Sequence, residues 1–402
     1  MKPEIKERIE QIRHGNVPEG YKKTKAGILP ADWTVCTIGD CLERVERPVD
    51  VQANEMYTQI GIRSHGKGLF YKEPVTGASL GNKAVFWIEP DCFVLNIVFA
   101  WEQAIGKTTQ NEVGMISSHR FPMYRPIDGR VDVDYLITYM LTKRGKDILE
   151  AASPGGAGRN RTLGQDRFLK SKIILPSPDE QRRIAEVITT QDKVIELKER
   201  RLVEKQRQKK YLMQMVFTQD ITEKRKLSDI SIITMGQSPS SASYNEEMKG
   251  IPLIQGNADI YNRKPHPRMY TTEPTKQCHE GDILLSVRAP VGTVAKSDIH
   301  ACIGRGICAI SAGELSDYVY QYLYYFEKRW GQVSQGSTFE SISGDEISKL
   351  VIPVSEKYRQ VTDVLKNIDH EVELLQRDLE EEKQKKKALM QLLLTGIVRV
   401  NI

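Results

Sequence analysis

Two stretches of this chain repeat one another residue by residue. From Leu175 the sequence reads LPSPDEQRRIAEVITTQDKVIELKERRLVEKQRQKKYLMQMVFTQ, and from Ile352 it reads IPVSEKYRQVTDVLKNIDHEVELLQRDLEEEKQKKKALMQLLLTG. They align without a gap: Pro176 falls on Pro353, Arg182 on Arg359, Asp192 on Asp369, Lys209-Lys210 on Lys386-Lys387, and Leu212-Met213-Gln214 on Leu389-Met390-Gln391. A repeat of this kind constrains the architecture before any single residue does.

Each copy advances in alternating steps of four and three, the pattern that keeps one stripe of a helix against a partner helix. In the first copy the stripe is Ile184, Ile188, Gln191, Ile195, Lys198, Leu202, Lys205, Lys209, Leu212 and Val216. In the second it is Val361, Leu365, Ile368, Val372, Leu375, Leu379, Glu382, Lys386, Leu389 and Leu393. Neither interior holds Gly or Pro, and Pro176-Ser177-Pro178-Asp179 and Pro353-Val354-Ser355-Glu356 are good helix openings. A helix over 179–216 is roughly 57 Å long. One small domain cannot cover such a stripe, so the two copies are each other's natural partners, as an antiparallel coiled coil. Gln191 and Lys198 stand where the second copy has Ile368 and Leu375. Such residues either fix register or, for a lysine, carry the ammonium out to water; the sequence favours the second.

A longer segment with short β-like runs precedes each helix, at about 17–175 and 222–352. The ends of these segments match: Asp134-Tyr135-Leu136 with Asp317-Tyr318-Val319, and Ser171 to Pro176 with Ser348 to Pro353. Pro90 to Asn96 and Gly281 to Ser286 each read as a turn followed by a buried strand. The interiors otherwise diverge. The layout is domain, helix, domain, helix, which predicts a pseudo-twofold arrangement of a mixed α/β chain. Two unlike domains on one frame suit the reading of spaced DNA half-sites.

With 402 residues the chain exceeds what one core usually serves. Its net charge of +5 permits nucleic-acid binding without demanding it. No run of about 18 apolar residues is present, and the polar start Met1 to Lys6 lacks the core of a signal peptide. The expectation is a cytoplasmic protein with no membrane association. Six scattered cysteines, Cys36, Cys41, Cys92, Cys278, Cys302 and Cys308, form no CxxC pair, so buried reduced thiols are expected, with no metal site.

At this point the residues resemble a family. Gly281 to Gly292, reading GDILLSVRAPVG, followed by Cys302-Ile303-Gly304-Arg305-Gly306, is similar to the core of a target recognition domain from a type I restriction-modification specificity (S) subunit. Gly27 to Trp33 with Ile38-Gly39-Asp40 resembles that family's lead into its first domain; Leu175-Pro176-x-Pro178-x-Glu180-Gln181-x-x-Ile184 resembles its lead into the spacer helix. The likeness covers nearly the whole chain. It departs at Asn96 to Trp101, which stands where the second domain has Arg288-Ala289-Pro290, and at Lys357-Tyr358 in place of Glu180-Gln181.

The resemblance implies a non-catalytic subunit with an N-terminal helix (1–16), a first target recognition domain (17–178), a central spacer helix (179–218), a second recognition domain (219–355), a C-terminal spacer helix (356–396) and a tail (397–402). It implies a bipartite double-stranded DNA target. The implied partners are two modification (methyltransferase) subunits using S-adenosylmethionine and restriction (translocase/nuclease) subunits using ATP and Mg, with no cofactor on this chain itself.

Base reading calls for Arg or Lys at guanine and Asn or Gln at adenine. In the first domain the candidates are Arg63, His65 and Lys67 on one loop, and His119 and Arg120 on another. In the second they are Gln255, Asn257, Arg263, Lys264, Arg288 and Arg305. For each, the plain alternative is a solvated loop charge, and for Arg288 and Arg305 a framework role or phosphate contact. The run Gly155 to Arg161 lacks the GKS or GKT ending of a phosphate loop. It reads as a flexible turn offering Arg159 and Arg161 to the DNA backbone. The basic runs Lys198–Lys210 and Lys383–Lys387 read as solvated helix faces, with partner docking or DNA steering as the functional alternative.

Two rivals remain. Asp192, Glu196 and Lys198 imitate a nuclease D…ExK set, but the repeat replaces Lys198 by Leu375, and no Asn-Pro-Pro-Tyr or Asp-Pro-Pro-Tyr methyltransferase motif occurs. A coiled-coil scaffold explains the helices and leaves the two divergent domains unexplained. A related multi-subunit system is the closer alternative.

Overall fold

Runs of consecutive apolar residues in a mixed chain suit strands buried on both faces. In this computed structural model, which describes residues 3–25, 27–81, 83–155, 161–218, 223–330 and 341–400, two such runs lie inside the four-stranded sheets. The chain divides into two compact units, Met1–Leu197 with Leu379–Ile402, and Lys198–Asp378.

In the first unit the sheet order is Ile105–Lys107, Phe93–Leu95, Met123–Pro126, Leu42–Val45, all antiparallel. In the second it is Val294–Lys296, Ile283–Ser286, Ile307–Ser311, Ile232–Met235, again antiparallel. The two sheets share strand order and chain order. Phe93–Leu95 and Ile283–Ser286, the strands the sequence marks as buried, are buried along their whole length. Behind each sheet lies a helix, Val133–Met140 in one unit and Ser316–Phe326 in the other. The first starts where Asp132 caps it, its carboxylate accepting from Tyr135 N at 2.9 Å.

Buried bonds repeat as well. Tyr135 Oη donates to Ile174 O at 3.3 Å and Tyr318 Oη to Pro353 O at 2.7 Å. Lys107 pairs with Asp134 at 2.9 Å, and Lys296 pairs with Asp317. Ile38 N donates to Ser171 O and Leu227 N to Leu350 O. These matches correct the gapless alignment. Lys172–Leu175 pairs with Thr34–Thr37 as Val351–Val354 pairs with Glu223–Lys226. Leu175 therefore corresponds to Val354, not to Ile352, while Asp192 still corresponds to Asp369 in the helices. A slip of two residues sits between strand and helix. In a strand a shift of two keeps every side chain on its face, so the alternating sequence alone could not reveal it.

The first long helix spans Pro178–Thr218 and the second Tyr358–Leu394. The second begins after Pro353, which lies inside a strand, and not at the expected opening. The N-terminal helix is Pro3–Arg13. In each unit the two long helices run antiparallel and enter the domain core. Ile184 and Ile188 join Leu389 and Leu393 in the first; Met213 and Phe217 join Val361 and Leu365 in the second. Every stripe residue, including Ile195, Leu202, Leu212, Val372 and Leu379, is buried or half-buried.

The polar stripe residues do not simply reach water. Gln191 Nε2 donates to Glu382 Oε2 at 2.6 Å, and Lys198 Nζ to Asp378 at 2.7 Å. Asp192 pairs with Lys386 at 2.5 Å and, at the matching place of the other unit, Asp369 with Lys209 at 2.5 Å. Carboxylates on the facing helix make pairing cheaper than extension. The D…ExK imitation thus has two of its members engaged in helix pairing, and no cluster of metal-ligating side chains occurs among the described residues.

The tail folds back on the first unit. Val398 and Val400 pack on its core, and Arg399 bonds both Asp32 (2.8 Å) and the fully buried Glu180 (2.5 Å). Trp33 Nε1 donates to the same Glu180 at 3.0 Å. The two strings at the lead-ins of the first domain and its helix therefore meet. All six cysteines are free thiols, five buried and Cys36 half-buried.

Candidate nucleic-acid interface

The strand ends of each domain open into loops, and the main chain ties those loops together in the same way twice. Ile97 N donates to Arg120 O at 3.0 Å and Val287 N to Gly306 O at 2.9 Å. Leu163 N donates to Ile97 O at 2.8 Å and Ile342 N to Val287 O at 3.0 Å. Gln59 bridges Ile116 in parallel, as Leu253 pairs with Cys302. Three correspondences follow by counting along the chain: Arg63 with Asn257, His119 with Arg305, and Val98 with Arg288.

In the second domain this bonding gathers side chains from separate loops. Gly306 N donates to Gln255 O at 3.1 Å, Gln237 N to Ile303 O at 2.9 Å, and Arg305 N to Ser238 Oγ at 3.3 Å. The glycines flanking Arg305 are required by this packing. A Cβ on Gly306 would strike the Gln255 carbonyl, and one on Gly304 would press on Gln255 Cα at 3.1 Å. Gln237, Gln255, Arg288 and Arg305 are all exposed there. Asn257 opens a short 3-10 turn beside them. Gln237 was missed by the sequence reading; it follows a glycine whose Cβ would strike Gly304 O, a close approach that one sequence cannot display.

Arg263, one of the expected base readers, is engaged within its own domain. It sits in a left-handed turn (φ 63°), and its guanidinium binds Glu327 at 2.7 and 2.9 Å and lies 4.5 Å from the centre of the Tyr324 ring. Burial opposes its charge, yet the Glu327 bonds hold its pKa above the usual value. On the same ring lies Lys209 Nζ at 4.3 Å, whose pKa burial pulls down against the pull of Asp369. Lys264 is exposed, with Asp298 3.9 Å away.

In the first domain, Arg63, His65 and Lys67 stand on the turn of the hairpin Ile60–Ile62/Leu69–Tyr71. His65 has φ 61°, and its N–H donates to Glu102 O at 2.8 Å, docking the turn on the 3-10 turn Ala100–Glu102. Arg63 donates to Leu69 O at 2.6 Å and covers the Phe70 ring at 5.0 Å. His119 and Arg120 are exposed. Arg161 lies over the Trp101 ring at 5.4 Å, a contact that competes with reaching a phosphate. Arg159 lies outside the described residues. Within the basic runs of the helices, Lys198, Lys205, Lys209 and Lys386 pair with carboxylates of the facing helix.

Two domains with one main-chain frame and unlike exposed side chains define a two-target recognition protein. The chain belongs to the type I restriction-modification DNA specificity family, whose model matches residues 30–205 and 220–383. It is 28% identical over 421 residues to a protein of Methanocaldococcus jannaschii described as the type I restriction enzyme MjaX specificity subunit, covering 95% of this chain and 97% of that one. The MjaVIII specificity subunit of the same organism is 22% identical, covering 95% and 96%. Among solved structures, one concerned with assembly and conformational transition of the type I R-M system shares the fold at TM-score 0.60, with 24% identity over 92% of this chain and 99% of that chain. The HsdS subunit of Thermoanaerobacter tengcongensis does so at 0.50, with 23% identity over 92% and 98%. The chain is a specificity subunit with two recognition domains, in a family of non-catalytic DNA-recognition subunits.

Proposed function

We propose that the chain binds a bipartite double-stranded DNA target, one half-site per recognition domain, through the loops just described. Arg305, Arg288, Gln255, Gln237 and Asn257 read the second half-site; Arg63, His65, Lys67, His119 and Arg120 act on the first. The observation that carries this reading is the exposed cluster Gln237, Gln255, Arg288 and Arg305, whose donors suit guanine and adenine edges. The chain directs two modification subunits carrying S-adenosylmethionine, and restriction subunits carrying ATP and Mg, in the cytoplasm. No helix among the described residues is long and apolar enough to cross a membrane.

The test is co-expression with the neighbouring modification subunit and mapping of N6-methyladenine across the host genome. A split motif that vanishes without this chain is the expected result. A stable complex with no new methylation would overturn the reading and favour an assembly scaffold.

A further inference from the structure

The two domains differ at one place on the candidate interface by a cavity. The first has a cavity of about 440 Å³ there, walled by Phe70, Phe99 and Phe121, a size within the range of ligand pockets. All three rings are half-buried. Gly61 lets the Phe70 ring lie flat against the main chain of its hairpin partner, where a Cβ would collide with it. At the corresponding position the second domain has Gln255, and in place of Asn96 it has Ser286, whose hydroxyl is bonded internally to Arg288 O and Pro290 O.

The cavity's polar groups are poised for a planar ligand. Asn96 is 9% exposed, and its Oδ1 accepts from Val98 N at 3.0 Å, which fixes the amide. Its Nδ2 has no partner among the described residues, though the residue lines the cavity. Ser64 Oγ donates to Glu102 Oε2 at 2.8 Å, and Glu102 lines the cavity as an acceptor. Lys72, also lining it, is exposed. Aromatic walls with one donor and one acceptor match a base bearing an exocyclic amino group, held by the rings at its face and by hydrogen bonds at its edge.

We propose that this cavity receives an unstacked, amino-bearing nucleobase of the DNA bound by the first domain; the inference rests on the DNA-reading function above. Unstacking the base from the duplex opposes binding, and stacking on the aromatic wall offsets that loss. Asn96 and Glu102 then distinguish the base that enters.

The experiment uses the complex with its modification subunits and the target defined by methylation mapping. 2-Aminopurine is placed in turn at each position of the first half-site other than the methylated adenine. One position is expected to brighten several-fold on binding and to return to the duplex level in both Phe121→Ala and Phe70→Ala. No brightening at any position, or brightening that both variants retain, overturns the proposal. Calorimetric titration of the chain with AMP and CMP separates the sources. Tight binding of a free nucleotide without any 2-aminopurine response makes the cavity a nucleotide site and overturns the DNA-base assignment. Sequence-specific binding measured by anisotropy keeps the two readings apart. If it persists without a brightened position, only the cavity proposal fails; if it is absent, the DNA-reading function fails.

Discussion

The first recognition domain and the second hold their loops with matching main-chain bonds and offer different chemistry at the matched positions. Where the second presents Arg305 between two glycines, the first presents His119; where the second presents Arg288, the first has Val98. The second face is an Arg/Gln surface, and the first interleaves Arg63 and Arg161 with Phe70 and Trp101. The lesson is that backbone bonding carries the fold, so side chains at loop positions are free to diverge without loss of frame.

The largest test of that separation is domain exchange. Replacing 17–178 with the first domain of another family member should switch one half-site of the methylation motif completely and leave the other intact; a change in both would show that the frames are not independent. Next, a heptad inserted between Glu196 and Leu202, matched by one between Glu373 and Leu379, should change the number of base pairs between half-sites. Unchanged spacing would break the idea that the helices set it.

The twin ion pairs sharpen the comparison. Lys209 is 8% exposed in its side chain and Lys386 is 24% exposed. Asp369→Asn strands a buried ammonium and should cost about 3 kcal/mol in denaturant unfolding, whereas Asp192→Asn should cost at most about 1 kcal/mol. Equal losses would mean the two helix ends are equivalent after all. Arg305→Ala should weaken specific binding by about 1–3 kcal/mol and relax one position of the second half-site only, as read by competition binding.

Smallest is an acid effect. Bonds to Arg399 hold the Asp32 carboxyl below its usual value, and bonds to Lys296 and Lys366 outweigh burial to do the same for Asp317. Each contribution is complete above the ordinary value of 3.8 and disappears as pH falls through the lower folded value. Asp32→Asn and Asp317→Asn should each flatten stability against pH in that acid range, the first in one unit and the second in the other.

The long helices were legible because a four-three stripe states its partner face directly. So were the buried strands after Asp91 and Gly281, whose positive φ values of 57° and 90° mark the same turn. The two-residue slip was not legible, because a strand repeats its facing every two residues. Nor was the loss of Arg263 to Glu327 and Tyr324, since long-range partners of an arginine leave no mark near it in sequence. The cavity beside Asn96 was hidden for a similar reason: the hairpin pair Gly61 and Phe70, Phe99 and Phe121 come from three separate segments.

Asp192 and Lys209 lie on one helix, Asp369 and Lys386 on the other, and each aspartate meets the other helix's lysine. One helix thus carries both a plug and a socket. A chain cut to a single domain and its first long helix would keep this one pair in an isologous homodimer, but Lys198, which pairs with Asp378, would then face Arg201, the residue aligned with Asp378. Joined in one chain, the two unlike helices supply Lys198 and Lys205 with Asp378 and Glu371, so pairing of unlike halves is favoured over pairing of like ones.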